Sequence, residues 1–196
     1  MPNTTVLFPT HGEAQTFMKR HPDIRSRICG VGAAECAGTT ALSICEDKPD
    51  MLILAGIAGA YAASGLKKGD CIIVTRENIA DLGTMRAGTF VSLPKTFGAP
   101  AADNYYTADP PRGRLLPAIS NTVTIAGSWT LNPAMRADIE NMEGAGFFSV
   151  CTKLGIQFAE IRCISNMVGE TPDQWIIPQA VEILSETLYD YISGLQ

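Results

Sequence analysis

The sequence predicts an α/β fold in which helices flank a largely parallel sheet. Two observations point to it: short apolar runs alternate with helical segments, and glycine or proline turns separate them. The composition agrees, because 46% of the 196 residues are hydrophobic and only 18% are charged, as in compact globular proteins. The length suits one domain with a substantial core, so we expect a single domain over residues 1–196.

The N-terminal half supplies the alternation of strand and helix. TTVLFPT is a β-rich run, and the helix after it should begin near Gly12. RSRICGVG follows as a strand ending in a glycine turn, and AAECAGTTALSICEDK as a helix rich in small residues. PDMLILAG predicts a buried strand with IAGAY as its exit turn, and DCIIVTRE predicts another strand.

Residues 84–117 differ from the rest of the chain. They are rich in Pro, Gly and polar residues without a sustained period, which predicts an irregular, loop-rich insert that serves as a lid or binding loop. Regular structure should return with the strand NTVTIAG, the helices NPAMRADI and EGAGFFSVCTKLG, and the strand FAEIRCIS. A final amphipathic helix should begin at about Pro178, because proline is favoured in a first helical turn.

Composition also excludes several classes of function. A net charge of −5 without a basic stripe argues against nucleic-acid binding, and no apolar run is long enough to span a membrane. The start of the chain does not resemble a signal peptide, and six scattered cysteines suggest reduced thiols in a cytoplasmic protein. Two histidines without ligand spacing make a metal site improbable. Glu35 stands where a dinucleotide fingerprint needs glycine, so we expect no cofactor.

Three predicted strand ends could bind a ligand, because open α/β sheets bind ligands at the carboxyl ends of their strands. Glu13 follows the first strand, where it either caps a helix or acts in a site. Gly56 and Gly59, around Ile57 and Ala58, either admit a ligand close to the backbone or form an ordinary turn.

The third strand end belongs to the C-terminal set, NMEGAG followed by RCISNMVGE. Ser165 and Asn166 end an apolar strand, where they either cap the strand or contact a ligand. Glu143 lies where a helix should enter the core, and burying an unpaired carboxylate is costly. Glu143 must therefore have a partner.

Together these segments resemble the nucleoside phosphorylase and nucleosidase superfamily, in particular its bacterial hydrolase branch. The resemblance runs from VLFPTHGEA through GVG, LAGIAGAY and LKKGD to the specific pair NMEGAG and RCISN. ENIADLG, and ISNMVG followed by Trp175, look more like futalosine hydrolase than like adenosine-type nucleosidases. The resemblance implies a twisted mixed sheet within a three-layer α/β/α domain.

The resemblance also implies roles for individual residues. Glu13 would activate the attacking water, Glu143 would bind the ribose 2′- and 3′-hydroxyls and stabilise positive charge on the sugar, and Asn166 would contact the leaving purine. Arg162 would orient the Ser165–Asn166 loop through an ion pair. The other substrate-binding residues would be Ile57, Ala58, Gly59, Trp129, Thr130, Met142, Ser165 and Trp175.

Asn166 stands where adenosine-type nucleosidases keep an aspartate. An amide can donate hydrogen bonds to N7 and to a 6-oxo oxygen but cannot readily deliver a proton, which suits hypoxanthine. Together with Asn166, the resemblance implies hydrolysis of futalosine to hypoxanthine and dehypoxanthinyl futalosine, a step of menaquinone biosynthesis. It also implies a homodimer or larger homo-oligomer.

Three alternatives stay open at this point. The first is a methylthioadenosine/S-adenosylhomocysteine nucleosidase, and the second is a phosphate-dependent purine nucleoside phosphorylase. The glycine turns CGVG and AGIAG carry no arginine and Glu13 would repel phosphate, so water is the favoured nucleophile. The third alternative is a nucleoside-binding protein without catalytic activity.

Overall fold

The computed structural model describes residues 3–92, 105–111, 113–127 and 136–195, without the side chains of residues 89 and 92. The strands in these ranges are Thr4–Phe8 (β1), Arg25–Ile28 (β2), Met51–Ala60 (β3), Cys71–Ile79 (β4), Gly83–Arg86 (β5), Thr89–Ser92 (β6), Tyr105–Thr107 (β7), Leu116–Thr122 (β8), Ile139–Asn141 (β9) and Gln157–Met167 (β10). The α-helices are His11–Arg20 (α1), Ala33–Asp47 (α2), Gly144–Leu154 (α3) and Ile177–Ser193 (α4). Short 3₁₀ helices lie at Ala62–Ser64 and Pro172–Gln174.

The main sheet is mixed and strongly curled. Its strand order is β10-β4-β8-β9-β3-β1-β2, and β10 also pairs with β3, so that five strands close on themselves. The pairs β1–β2, β1–β3, β3–β10, β4–β8 and β8–β9 are parallel, whereas β3–β9, β4–β10 and β4–β7 are antiparallel. The predicted mixed, mainly parallel sheet is confirmed.

Helices cover both faces of the sheet. On β1, Val6 belongs to a core cluster that includes Phe17 of α1 and Leu184 of α4. The next residue, Leu7, belongs to a second cluster, which includes Phe147 of α3. Because neighbouring residues of a strand face opposite sides, the two clusters lie on opposite faces of the sheet, which gives the predicted three-layer arrangement.

Close backbone packing fixes the position of α3. A Cβ atom added at Gly146 would lie 2.0 Å from the carbonyl oxygen of Ala33, at the start of α2. Only glycine permits this approach between the two helices. As a result, the N-terminus of α3, with Glu143 as its cap residue, is held beside the Gly32 turn that precedes α2.

Three local expectations are corrected by the structure. β3 does not end in a turn at IAGAY but continues to Ala60, because β9 and β10 pair with its last residues. The strand expected over 121–127 instead begins at Leu116 and ends at Thr122. The helix expected over 132–139 is not found at 136–138, and Ile139 begins β9; residues 132–135 lie outside the described part.

The segment 84–117 also contains regular structure. β5 and β6 form a two-stranded antiparallel hairpin, and β7 pairs with the end of β4. Residues 93–104 lie outside the described part, so the expected lid or binding role stays a prediction. Across the described ranges, no helix has the length and apolar character needed to cross a membrane.

Candidate active site

A cavity of about 850 Å³ opens at the carboxyl ends of β1, β3 and β10. Its volume is in the range of small-molecule sites. It brings together nine of the residues singled out in the sequence: Glu13, Ile57, Ala58, Gly59, Met142, Glu143, Ser165, Asn166 and Trp175. The remaining two, Trp129 and Thr130, lie outside the described residues.

Glu13 lies in the first turn of α1, and both of its oxygens receive hydrogen bonds. Oε1 accepts from the backbone N–H of Ile57 at 3.0 Å, and Oε2 accepts from the hydroxyl of Thr10 at 2.7 Å. Thr10 in turn accepts from the N–H of Glu13 and thereby caps the helix. Burial raises the pKa of Glu13, although the bonds from Thr10 and Ile57 oppose the rise. A carboxylate with a raised pKa accepts a proton more readily than an exposed one, as a general base requires.

Glu143 has the partner that its buried position requires. Its Oε1 accepts from the N–H of Gly32 at 3.1 Å, and its Oε2 accepts from Nη2 of Arg162 at 3.2 Å. The Glu143 side chain is only 5% exposed and that of Arg162 only 1%. Glu143 nevertheless lines the cavity, whereas Arg162 supports it from behind.

Arg162 has a different place from the one predicted. Instead of pairing with the Ser165–Asn166 segment, its guanidinium donates to Oε1 of Glu160 at 2.8 Å, to Asn141 and to the carbonyl oxygen of Ile57. The reason is strand alternation: Arg162 and Glu160 are two residues apart on β10 and therefore share a face. Arg162 thus orients Glu143 rather than Asn166.

Gly56 makes this arrangement possible. A Cβ atom on Gly56 would lie 2.5 Å from Nη1 of Arg162 and 2.9 Å from Oε1 of Glu13. A side chain at this point of β3 would separate the two charged groups. The glycine therefore serves close packing of the site within a strand, not a turn.

Asn166 is oriented by its neighbour. The hydroxyl of Ser165 lies 2.8 Å from Oδ1 of Asn166 and donates to it, and Nδ2 donates to the carbonyl oxygen of Met167 at 3.2 Å. Because Oδ1 is engaged by Ser165, the amide group presents its remaining N–H as a donor. Asn166 is 8% exposed and lines the cavity.

Trp175 also lines the cavity. Its indole N–H donates to the carbonyl oxygen of Glu170 at 3.2 Å, and Lys68 pairs with the Glu170 carboxylate at 3.0 Å. These contacts hold the loop between β10 and α4, which places Trp175 in the lining of the cavity.

Behind the cavity lie two further carboxyl groups, Glu77 and Glu160, which have no solvent exposure. Oε1 of Glu77 accepts from Thr122 and Asn141, whereas Oε2 of each carboxyl lacks a donor from the described residues. Both Oε2 atoms would lie 2.7 Å from a Cβ atom on Gly144. Burial, together with the charge of Glu160, raises the pKa of Glu77 well above its usual range. The raised pKa favours the protonated form of Glu77, which can donate a hydrogen bond toward Glu160.

Sequence reasoning missed three residues of the site. Thr10 and Glu13 form the T-x-x-E pattern of a capping box, which could have identified Thr10. Asn141 accepts from the N–H groups of Glu143 and Gly144, and a helix N-terminus needs such acceptors. The third residue, Glu140, lines the cavity, and no local pattern indicates it.

The described lining of the cavity contains no lysine or arginine. Arg25 and Arg27 pair with Asp47 at the far edge of the sheet, and Arg76 lies over the ring of Tyr105. A phosphate ion would thus meet carboxylates and no cation at the surface of the cavity. Within the described ranges, no cluster of three or more acidic, cysteine or histidine residues could hold a metal ion.

Comparisons with known proteins agree with the resemblance. The family described as the phosphorylase superfamily matches residues 120–193. A futalosine hydrolase of Thermus thermophilus is 28% identical over 173 residues, which cover 81% of this chain and 76% of that protein. A futalosine hydrolase of Acidothermus cellulolyticus is 29% identical over 177 residues, covering 80% and 70% respectively.

Solved structures share the fold. A futalosine hydrolase mutant of Helicobacter pylori superposes with a TM-score of 0.80 at 14% identity, covering 97% of this chain and 98% of the other. The 5′-methylthioadenosine nucleosidase of Arabidopsis thaliana gives 0.76 at 18% identity, covering 98% and 95%. These structures confirm the predicted fold, and the family match and the two curated relatives bear out the resemblance to the nucleoside phosphorylase and nucleosidase superfamily.

Proposed function

We propose that this protein is a purine nucleosidase that hydrolyses the N-glycosidic bond of futalosine and releases hypoxanthine. The observation that carries the proposal is the convergence of Glu13, Glu143 and Asn166 on one cavity, although they lie far apart in the chain. The similarity to two proteins named futalosine hydrolase supports both the reaction and the substrate.

The sugar lies between the two carboxylates in this proposal. Glu143 accepts hydrogen bonds from the 2′- and 3′-hydroxyls, and Met142 packs against the ribose. As the bond between C1′ and N9 lengthens, positive charge develops on the sugar ring, as in other glycoside cleavages. Glu143 stabilises that charge in a buried site, where electrostatic interactions are strong.

A water molecule is the nucleophile. The carboxylate of Glu13 accepts a proton from a water molecule whose oxygen bonds to C1′, and the electron pair of the broken bond leaves with the purine. The raised pKa of Glu13 makes it a better proton acceptor than an ordinary surface carboxylate. Asn166 donates a hydrogen bond to the departing base, which then takes up a proton.

The absence of a cation from the described cavity lining favours water over phosphate as the nucleophile. It therefore disfavours the phosphorylase alternative. The non-catalytic alternative is disfavoured by Glu13, whose two fixed hydrogen bonds hold a buried carboxylate that mere binding of a nucleoside does not need. A homodimer or larger homo-oligomer, located in the cytoplasm, remains part of the proposal.

A panel of three nucleosides tests the substrate. Futalosine, inosine and methylthioadenosine are incubated with the protein, and the released base is quantified by liquid chromatography. We expect hypoxanthine from futalosine at the highest kcat/KM, with inosine slower because it lacks the 5′ substituent. Faster release of adenine from methylthioadenosine would select the adenosine-type nucleosidase instead. Binding of futalosine without release of any base would select the non-catalytic alternative.

A further inference from the structure

Glu140 has no role in the mechanism described so far, yet it lines the cavity and is only 6% exposed. It lies in the same cross-strand row as Asn166. Glu140 of β9 pairs with Gly59 of β3, and Gly59 pairs with Asn166 of β10. Side chains in one row of a sheet project from the same face. Glu140 and Asn166 therefore stand on either side of a residue that has no side chain.

Both side chains lie close to Gly59. A Cβ atom built on Gly59 would lie 3.0 Å from Nδ2 of Asn166 and 3.6 Å from Cγ of Glu140, with Cγ2 of Val168 at 3.3 Å. The amide nitrogen of Asn166 and the side-chain stem of Glu140 thus border the same part of the cavity. The ring N1 and the 6-substituent of a purine are neighbouring hydrogen-bonding groups, so they could contact one acceptor and one donor placed side by side.

The carboxylate of Glu140 is held in place by two donors. Its Oε1 accepts from the N–H of Gly127 at 2.7 Å, and its Oε2 accepts from the hydroxyl of Tyr61 at 3.0 Å. Asn121 donates to the same Tyr61 hydroxyl at 3.2 Å, which directs the tyrosine proton toward Glu140. A carboxylate has about four acceptor sites, so it can still accept hydrogen bonds from a ligand.

Charge compensation at Glu140 is incomplete. Burial raises the pKa of its carboxyl in spite of the bonds from Gly127 and Tyr61. No ion pair to it is found among the described residues, in contrast to Glu143 with its Arg162. A further N–H donor from a ligand would supply the missing stabilisation.

The position along β3 places this pair at the base rather than at the sugar. The N–H of Ile57 holds Glu13, and Gly59 lies two residues farther along the same strand face. Two residues of a strand span about 6.6 Å. That distance is comparable to the one between the reacting sugar carbon of a nucleoside and the far edge of its purine.

We propose that Glu140 and Asn166 together select a 6-oxopurine base, with Glu140 accepting from the ring N1–H and Asn166 donating to the 6-oxo oxygen. This inference rests on the proposed nucleosidase function and deepens it. In a 6-aminopurine the two groups are reversed, because the 6-amino group is a donor and N1 is an acceptor. The 6-amino group would then face the donor of Asn166, and N1 would face the carboxylate of Glu140. Sites built on such polar contacts reject a mismatched analogue by large factors, since buried groups are left unpaired.

The test uses futalosine, its 6-amino analogue and its N1-methyl analogue, all with the same 5′ group. The proteins are wild type, Glu140→Gln and the control Glu46→Gln, which alters an exposed residue paired with Arg27. Wild type should prefer futalosine and lose about 10–100-fold in kcat/KM on N1 methylation. Glu140→Gln should lose about the same factor on futalosine but not on the 6-amino analogue, so that the preference collapses. Glu46→Gln should match wild type.

An equal loss on futalosine and its 6-amino analogue in Glu140→Gln would overturn the inference, because it would indicate a structural role. If Glu140→Gln does not fold, the wild-type penalty for N1 methylation decides alone, and no penalty contradicts the proposal. If wild type releases no base at all, the nucleosidase proposal fails separately. Calorimetric binding of free hypoxanthine, 1-methylhypoxanthine and adenine then tests base selection, with equal affinity for the three as the contradicting result.

Discussion

Two groups of buried carboxyls lie on either side of Arg162, and they are held in opposite ways. Toward the cavity, all four oxygens of Glu13 and Glu143 receive a hydrogen bond from a backbone N–H or a side chain. Away from it, Glu77 and Glu160 each keep one oxygen with no donor among the described residues. The first pair is fixed as acceptors that still face the cavity, whereas burial raises the pKa of both carboxyls of the second pair.

The difference shows how a protein with four buried glutamates near one arginine remains folded. Arg162 donates to both Glu160 and Glu143 and so compensates one charge on each side. Burial favours the neutral, protonated form of Glu77, and capping contacts stabilise Glu13. Burial alone therefore does not make a carboxyl reactive; access to the cavity and fixed donors do.

The largest expected effect concerns the cavity side. Glu13→Gln keeps the shape of the side chain but cannot accept a proton, so kcat/KM should fall by about 10²–10⁴. In wild type, kcat/KM should decline as the pH falls through the raised pKa of Glu13, because the base becomes protonated. Rates of base release across pH check both points. An unchanged rate in Glu13→Gln, with a normal melting temperature, would exclude Glu13 as the base.

On the side away from the cavity the expected effect is on stability. Glu160→Ala removes one partner of a fully buried arginine, and breaking such a pair costs about 3–5 kcal/mol of unfolding free energy. The matched variant Glu77→Gln keeps a donor toward Glu160 and should cost less than about 1 kcal/mol. Urea denaturation measures both. Equal losses in the two variants would contradict a protonated Glu77 that donates toward Glu160.

The proposed contact of Glu143 with the sugar can be tested by comparing two substrates. Glu143→Gln weakens two charge-assisted hydrogen bonds to the sugar, and we expect kcat/KM to drop about 10–100-fold for ribonucleosides. The loss should shrink for a 2′-deoxy substrate, which lacks one of the two hydroxyls. If both substrates lose equally, the contact of Glu143 with the 2′-hydroxyl is refuted.

The smallest effect is the pH dependence of stability. The pKa of Glu77 is higher in the folded protein than in an unfolded chain, so the native state binds more protons between the two values. The free energy of unfolding should therefore fall as the pH rises above the ordinary carboxyl value of 4.5, by up to about 1.4 kcal/mol per pH unit. Glu77→Gln should flatten this slope. Parallel slopes for wild type and variant would contradict the assignment.

The sequence was informative where function depends on local patterns. The helix that follows Glu143, the cap position of Glu13 and the strand ending near Asn166 all follow from short-range rules, and the structure brings these residues to one cavity. The predicted exit turn at IAGAY was wrong, because β9 and β10 pair with this segment and extend β3 to Ala60.

What the sequence could not provide is the register between distant strands. Glu140 and Asn166 share one cross-strand row only because β9 and β10 pair with opposite edges of β3 at Gly59. Arg162 reaches Glu143 because β10 and the start of α3 meet behind the cavity. The residue pattern within β9 or β10 does not predict these contacts, because they depend on which strands pair in the folded sheet.

The central claim is that water, and not phosphate, attacks the sugar. Release of hypoxanthine from futalosine is measured in phosphate-free buffer and again after adding inorganic phosphate. The account predicts full activity without phosphate and no increase when it is added, because no cation lines the described cavity. Activity that appears only with phosphate, accompanied by a sugar 1-phosphate product, would contradict it.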